Sequence, residues 1–229
     1  MSRVIAIDGP AGAGKSSVSR EVGRRTGFIH VDSGALYRIA ALRCAMEGID
    51  SSDTAAVAGF GAKLAADASL AGYEIRDGRV AWLVDGAEPG ERIRTPEIGQ
   101  SASRVAVVAE IREAVTSLLR SLARLGDIIV EGRDITTAVF PDTPARFYLT
   151  ASPEVRAERR WREQTAKGVT VQTLEEVLSS ISARDKNDSS RANAPLVKAE
   201  GVKEIDTSSL DFGQSVEAVL DALPEGWRR

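Results

Sequence analysis

Three stretches of this chain carry residues able to handle phosphate. The first, Gly9-Pro10-Ala11-Gly12-Ala13-Gly14-Lys15-Ser16, fits the pattern G-x-x-x-x-G-K-[ST]. Glycines at this spacing let successive backbone N–H groups turn inward on phosphate oxygens, and a helix starting there adds the positive end of its dipole. Lys15 would then reach the β- and γ-phosphates of a nucleoside triphosphate, with the Ser16 hydroxyl as a ligand for Mg2+. The second stretch, Asp32-Ser33-Gly34-Ala35-Leu36-Tyr37-Arg38, and the third, Gly132-Arg133-Asp134, each follow a short apolar run. Beyond them lie four arginines in seven residues, Arg156, Arg159, Arg160 and Arg162. Phosphoryl transfer asks little covalent help of a protein: it needs two phosphate-bearing partners in line and the moving charge neutralised. Lysine, arginine and Mg2+ supply that without a Ser-His-Asp or Cys-His unit.

These groups need a scaffold, and the hydrophobic pattern describes one. Val4-Ile5-Ala6-Ile7 does not alternate, so residues 3–8 read as a strand buried on both faces. Phe28–Val31, Asp127–Glu131 and Ala145–Leu149 read as further strands, and Lys203–Thr207 as a weaker one. Helical patterns separate them, which predicts an α/β fold with a parallel sheet and its ligands at the carboxyl ends of the strands. Asp32 or Ser33 can cap the second helix, with Gly48 as its stop. Residues 52–72 read as a loose alanine-rich helix. Tyr73–Arg76 and Arg79–Val84 alternate around Asp77-Gly78, a hairpin signal that points to an inserted lobe. Thr95-Pro96-Glu97 starts a helical stretch reaching about Leu125, with an interruption near Ala109. Thr173–Glu176 is a capping box. The helix it opens sets Leu174, Leu178 and Ile181 on a stripe that continues as Arg184 (or Asp185), Asp188 and Arg191, an apolar root with a charged end.

Composition narrows the function. A net charge of −3 argues against a nucleic-acid-coating protein, whose affinity would rest on a basic surface. The one cysteine, Cys44, excludes an intrachain disulfide and reads as a small buried side chain. His30 is the only histidine and is expected to have no catalytic duty. No apolar run approaches a bilayer span, so a cytoplasmic enzyme is expected. A GTPase-type switch would need D-x-x-G and N-K-x-D elements; Lys186-Asn187-Asp188 is the nearest fragment, and its spacing is wrong. A non-catalytic nucleotide-binding regulator would not need so much arginine at strand ends. A small-molecule kinase accounts for the P-loop, the insert and the arginine-rich segment together.

The motifs also carry a resemblance. Asp8–Ser16, Asp32–Arg38, Ile93-Arg94-Thr95, Gly132-Arg133-Asp134 with Val139-Phe140-Pro141, and Arg184-Asp185, Asp188, Arg191 and Pro195-Leu196, in this order and with the hairpin, resemble the bacterial cytidylate kinases. These P-loop nucleoside monophosphate kinases make CDP from CMP and ATP. The resemblance implies one domain over 1–229 with a five-stranded parallel sheet of order 2-3-1-4-5. Its core would be 1–59, 108–150 and 169–229, with a monophosphate-binding insert at 60–107 and a helical lid at 151–168. It implies ATP on Gly9, Pro10, Ala11, Gly12, Ala13, Gly14, Lys15, Ser16 and Ser17, with Arg156 and Arg160 from the lid. CMP or dCMP would be held by Ser33, Arg38, Ser103, Arg112, Arg133, Asp134, Arg184, Asp188 and Arg191. Ser103, Arg112 and Asp134 would read cytosine, and Lys15, Arg133, Arg184 and Arg191 would serve catalysis. Ser16 would hold Mg2+, with Asp32 as an outer-sphere contact. A monomer acting on small molecules, with no nucleic-acid or membrane partner, is expected. The chain departs from the family at Thr136, where glycine is usual, at Glu110, where proline often stands, and at Leu119, usually glutamine. The first raises a question about the backbone near Asp134.

Overall fold

The computed structural model describes residues 2–166, 168, 172–191 and 194–228. Of the expected lid, Lys167 lies outside the described residues, as do Val169, Thr170 and Val171 of the core segment that follows and Ala192 and Asn193 beyond. The chain begins with β1 (Val4–Asp8), buried at every position as its unbroken apolar run requires, and α1 (Lys15–Thr26). β2 (Ile29–Asp32) leads into α2 (Ser33–Met46), where the Asp32 carboxylate accepts from Ala35 N at 3.1 Å and so is the cap. Gly48, at φ 70°, closes α2 with Gly48 N donating to Ala45 O and Ile49 N to Cys44 O, which satisfies two of the last carbonyls. α3 (Thr54–Ala66) is shorter than the expected 52–72, because Asp67 ends it by capping a 3-10 turn at Ala68–Ala71.

The hairpin follows as β3 (Gly72–Arg76) and β4 (Arg79–Leu83), antiparallel around Asp77 at φ 50° and Gly78 at φ 70°. Two left-handed residues in succession make the turn that matches strand twist. Then come α4 (Pro96–Val105), capped by Thr95, α5 (Ala109–Leu122), β5 (Ile128–Gly132) and a π-type turn at Ile135–Val139. β6 (Ala145–Thr150), α6 (Pro153–Ala166), α7 (Leu174–Ser189), β7 (Lys203–Asp206) and α8 (Phe212–Leu220) complete the order.

Two compact units make up the chain: Gly27–Val130 with the chain start through Val4, and Ile5–Thr26 with Glu131 onward. In the first, strands lie in the order β3-β4-β2-β5; in the second, β5-β1-β6-β7, with β5 divided between them and Val4 of β1 falling in the first. β2–β4, β1–β6 and β6–β7 are parallel, so the α/β class holds. The expected order 2-3-1-4-5 is present as β2-β5-β1-β6-β7, but the sheet has seven strands among the described residues, not five. The two additional strands are the hairpin. It does not stand off as a separate sheet: β4 pairs with β2 at Arg79↔His30, and His30 N donates to Gly78 O at 2.9 Å. The reason is burial. β4 sets Val80, Ala81 and Trp82 all inside, and Trp82 Nε1 donates to Asp32 O at 3.1 Å, so this strand covers an edge that β2 would otherwise leave open.

Core residues of the second unit include Ile5, Ile7, Phe147, Leu149 and Val219. In the first, Ile39, Val57, Phe60, Ile111 and Leu119 are buried, so the leucine in place of the family's usual glutamine is a packing residue. Cys44 is buried too, and loss of hydration, with Glu47 nearby, pushes its thiol up to about 11. No helix among the described residues is long and apolar enough to cross a membrane.

α3 and α5 touch through Gly61. A Cβ there would lie 2.7 Å from Ile111 N and 2.8 Å from the Glu110 carbonyl carbon. Both are backbone atoms of the first turn of α5, which carries Arg112. Gly61→Ala gains roughly 1 kcal/mol of helix propensity but forces apart two backbones that cannot yield by rotamer change. We expect a net destabilisation of about 1–3 kcal/mol, read as a lower urea midpoint at unchanged m. A midpoint equal to or above that of the parent chain would show that the helices separate freely.

Candidate functional site

The second unit holds the residues expected to bind the donor phosphates. Gly9 has φ 150°, and a Cβ on it would fall 1.9 Å from Leu149 O, so the loop can pass β6 only as glycine. The loop wraps the Lys15 amine, which is buried and donates to Pro10 O at 2.8 Å. Burial, with Arg133 and Arg184 as further cations and Glu131 and Asp8 opposing them, brings the Lys15 ammonium down to about 7. It is an amine held out of water with no carboxylate bonded to it among the described residues.

Ser16 Oγ donates to Glu131 Oε2 at 2.8 Å. Glu131 is buried at the carboxyl end of β5, immediately before Gly132-Arg133-Asp134. A hydroxyl backed by a carboxylate is a hard-oxygen donor set that suits Mg2+. Among the described residues no group of three or more His, Cys, Asp or Glu could cage a metal. Asp32, expected as the outer-sphere acid, has its carboxylate on the α2 cap; the carboxylate at Ser16 is Glu131.

Asp8, at the end of β1, accepts from Ile135 N at 2.9 Å, Thr136 N at 2.7 Å and Thr136 Oγ1 at 2.6 Å. Burial pushes the Asp8 carboxyl up, these three donors pull against it, and Asp134 adds to the rise. Thr136 therefore leaves the backbone near Asp134 intact. It has no positive φ to accommodate, and its hydroxyl adds a third bond to the clamp that fixes the turn after Asp134. Asp134 is buried, and its carbonyl accepts from Ala138 N and Val139 N to open the π-type turn.

The arginines converge on Asp188, which is 1% exposed. Its Oδ2 takes Arg133 Nε at 3.0 Å, with Arg184 Nε at 3.9 Å, and its Oδ1 pairs with Arg191. Burial alone would raise this carboxyl, but Arg133, Arg191 and Arg184 outweigh it and hold it below the usual carboxylate range. Three guanidiniums around one carboxylate leave surplus positive charge, as an anion site requires. α7 places them as its pattern suggests, with one correction: the buried stripe is Val177, Ile181 and Asp188, while Leu174 is exposed. Arg191 lies just past the helix end.

The two arginines expected on the lid differ. Arg156 is buried, donating from Nε to Ala151 O at 2.9 Å and from Nη1 to Ala11 O at 3.0 Å, and pairing with Asp185 Oδ2 at 2.6 Å. Arg160, half-buried one turn on, makes no hydrogen bond or ion pair among the described residues.

The first unit holds the other expected contacts. Ser33 is buried in the first turn of α2. Arg38 Nη1 donates to Ile93 O at 2.7 Å, and its guanidinium runs past Gly99, where a Cβ would lie 3.5 Å away. Ser103 Oγ donates to Gly99 O at 3.3 Å, so Arg38 and Ser103 are neighbours of one α4 glycine. Arg112 Nη1 donates to Ala106 O at 3.0 Å in the break between α4 and α5, and its guanidinium carbon lies 5.8 Å from the Tyr37 ring centroid. Sequence reasoning misses Tyr37 although it stands beside Arg38; the available signal is a tyrosine one turn into a helix that starts at Ser33. It misses Glu131 as well, whose signal is an acid ending an apolar strand.

Comparison with known proteins identifies a family for the chain as a whole. The profile of the cytidylate kinase family matches residues 5–225. The chain is 41% identical to a cytidylate kinase of Fervidobacterium nodosum over 224 residues, covering 98% of this chain and 97% of that one. It is 39% identical to that of Pelotomaculum thermopropionicum, with the same coverage of both. Among solved structures, an uncharacterised protein from Eubacterium ventriosum superposes with TM-score 0.52 at 12% identity, covering 96% of this chain and 97% of that one, a likeness of fold alone. With its P-loop, arginine cluster and near full-length match, the chain belongs to the cytidylate kinase family.

Proposed function

We propose that this chain transfers the γ-phosphoryl group of ATP to CMP, and to dCMP, giving CDP or dCDP and ADP. The observation that carries the reading is the buried Lys15 amine inside a glycine loop, on the same unit as three arginines gathered on Asp188. A phosphate oxygen of the acceptor attacks the γ-phosphorus while the bridging oxygen leaves with ADP. That nucleophile is already anionic, so no general base is needed, and the single histidine can be a strand residue. The loop amides from Gly9 to Ser17 hold the donor phosphates, and Lys15 follows the charge that develops between the β- and γ-groups. Arg133, Arg184 and Arg191 neutralise the phosphoryl group in transfer, released in part from Asp188, whose remaining contacts serve the ribose. Ser33 and Arg38 hold the acceptor phosphate. Ser103, Arg112 and Asp134 read cytosine. Arg160 is the lid cation available to ATP. Mg2+, bound through Ser16 with Glu131 behind it, supplies charge neutralisation on the triphosphate. The reading includes a cytoplasmic monomer using small-molecule substrates only.

A coupled assay with ATP against CMP, dCMP, UMP, AMP and GMP tests it. CMP and dCMP are expected to turn over fastest and UMP at least tenfold more slowly, since uracil reverses the hydrogen bond at position 4. Faster transfer to AMP or GMP, or none to CMP, overturns the assignment.

A further inference from the structure

Arg156 sits on the lid helix, yet its side chain is spent inside the second unit. Its guanidinium reaches three elements: Ala151 O at the end of β6, Ala11 O in the P-loop, and Asp185 on α7. The contact is intimate. A Cβ on Gly12 would stand 3.0 Å from both Arg156 Cβ and Arg156 O, so Gly12 is the glycine that lets α6 press on the loop. Directing the Ala11 carbonyl has a geometric consequence. The 11–12 peptide is trans, so its C=O and the Gly12 N–H point in opposite directions. Holding Ala11 O towards Arg156 aims the Gly12 N–H away from α6. On its other side Arg156 pairs with Asp185, one residue from Arg184 and one turn from Asp188.

We propose that Arg156 is a positioning residue: it fixes the 11–12 peptide for a donor phosphate and joins the P-loop, through Asp185, to the helix that bears the arginine cluster. This rests on the P-loop being the ATP site, and it divides the lid into a fixed root through Arg156 and a cation at Arg160 that has no partner among the described residues. A lysine cannot replace it, because one ammonium lacks the planar fork that serves two carbonyls and a carboxylate together.

The test measures affinity for ATP by titration calorimetry, and KM for ATP and CMP, in Arg156→Lys, Asp185→Asn and the double variant. Each single variant is expected to weaken ATP binding about tenfold, with KM for CMP within about twofold of the parent. The double variant is expected to lose little more than either single one, as coupled partners do. The sign of Asp185→Asn is decisive. If Arg156 were an ATP ligand restrained by Asp185, removing that carboxylate would free it and ATP would bind more tightly; tighter or unchanged binding therefore overturns the proposal. Should Arg156→Lys fail to fold, Asp185→Asn alone separates the two roles. A parent chain that binds no ATP would instead sink the assignment of the P-loop, a separate result.

Discussion

Lys15→Met is expected to lower kcat by about 10²–10³-fold, roughly 3–4 kcal/mol of transition-state stabilisation, while KM for CMP changes little. Methionine keeps the length of the side chain and removes the charge, so loop packing survives and the electrostatic contribution is isolated. The structure says why that contribution is large. The amine is 6% exposed, and burial with two guanidiniums nearby lowers it to about 7, so in this low-dielectric setting its charge interacts strongly with an arriving phosphate. A triphosphate brings negative charge to the amine and raises its pKa again, so binding takes up a proton. ATP affinity is therefore greatest below pH 7 and falls as pH rises above about 7, towards the pKa of the bound state. In the unliganded protein the depressed value works against folding. The unfolded chain keeps its proton up to about pH 10.4, so the cost of burying the cation is full below pH 7 and fades as pH rises between the two values. Calorimetry of ATP binding in two buffers of different ionisation enthalpy, at about pH 8, above the free-state value and inside the range where proton uptake is expected, reads the proton directly. The buffer dependence should vanish in Lys15→Met. A variant with normal kcat and a raised KM for CMP would assign Lys15 to the acceptor and overturn its role.

What can be read from the sequence is local. The P-loop glycines, the Asp77-Gly78 turn and the Thr173–Glu176 capping box each depend on residues within a few positions of one another, and each forms as its pattern says. What cannot be read joins distant segments. Ser16 and Glu131 are 115 positions apart, and Asp8 and Thr136 are 128 apart; nothing in the spacing of either residue names its partner. The hairpin shows the same limit. Its turn is legible, but the attachment of β4 to β2 depends on which edge its apolar face can cover. The arginine-rich segment announces cations without ranking them. Burial does the ranking, spending Arg156 on two carbonyls and a carboxylate and Arg159 on Thr207, and leaving Arg160 half-exposed. The helical stripe of α7 differs from its pattern for a related reason: Leu174 and Val177 both suit an inward face, and only the packing of α7 against Ala157 and Trp161 selects Val177.

Asp134→Ala should erode discrimination between CMP and UMP while leaving KM for ATP largely intact. Cytosine presents an amino donor at position 4 and uracil an oxygen acceptor, so a carboxylate oxygen there accepts from the first and finds no donor on the second. Asp134 is buried, and the turn that follows it is pinned by the three bonds to Asp8, so the backbone that carries the carboxylate is fixed. Leaving a buried polar pair unmatched costs about 1–3 kcal/mol, so the CMP-to-UMP ratio of kcat/KM should fall by roughly 10- to 100-fold, mainly because CMP loses its acceptor. Asp134→Asn sharpens the test. Its amide can turn its NH2 group towards uracil O4, so UMP turnover should rise above that of the parent while CMP turnover falls. Equal losses for the two nucleotides in both variants would mean that Asp134 serves the Arg133 loop and that the base is read elsewhere. If UMP improved only in Asp134→Asn, the carboxylate would be identified as the reader, because the two variants disturb the turn alike and differ in the donor they offer.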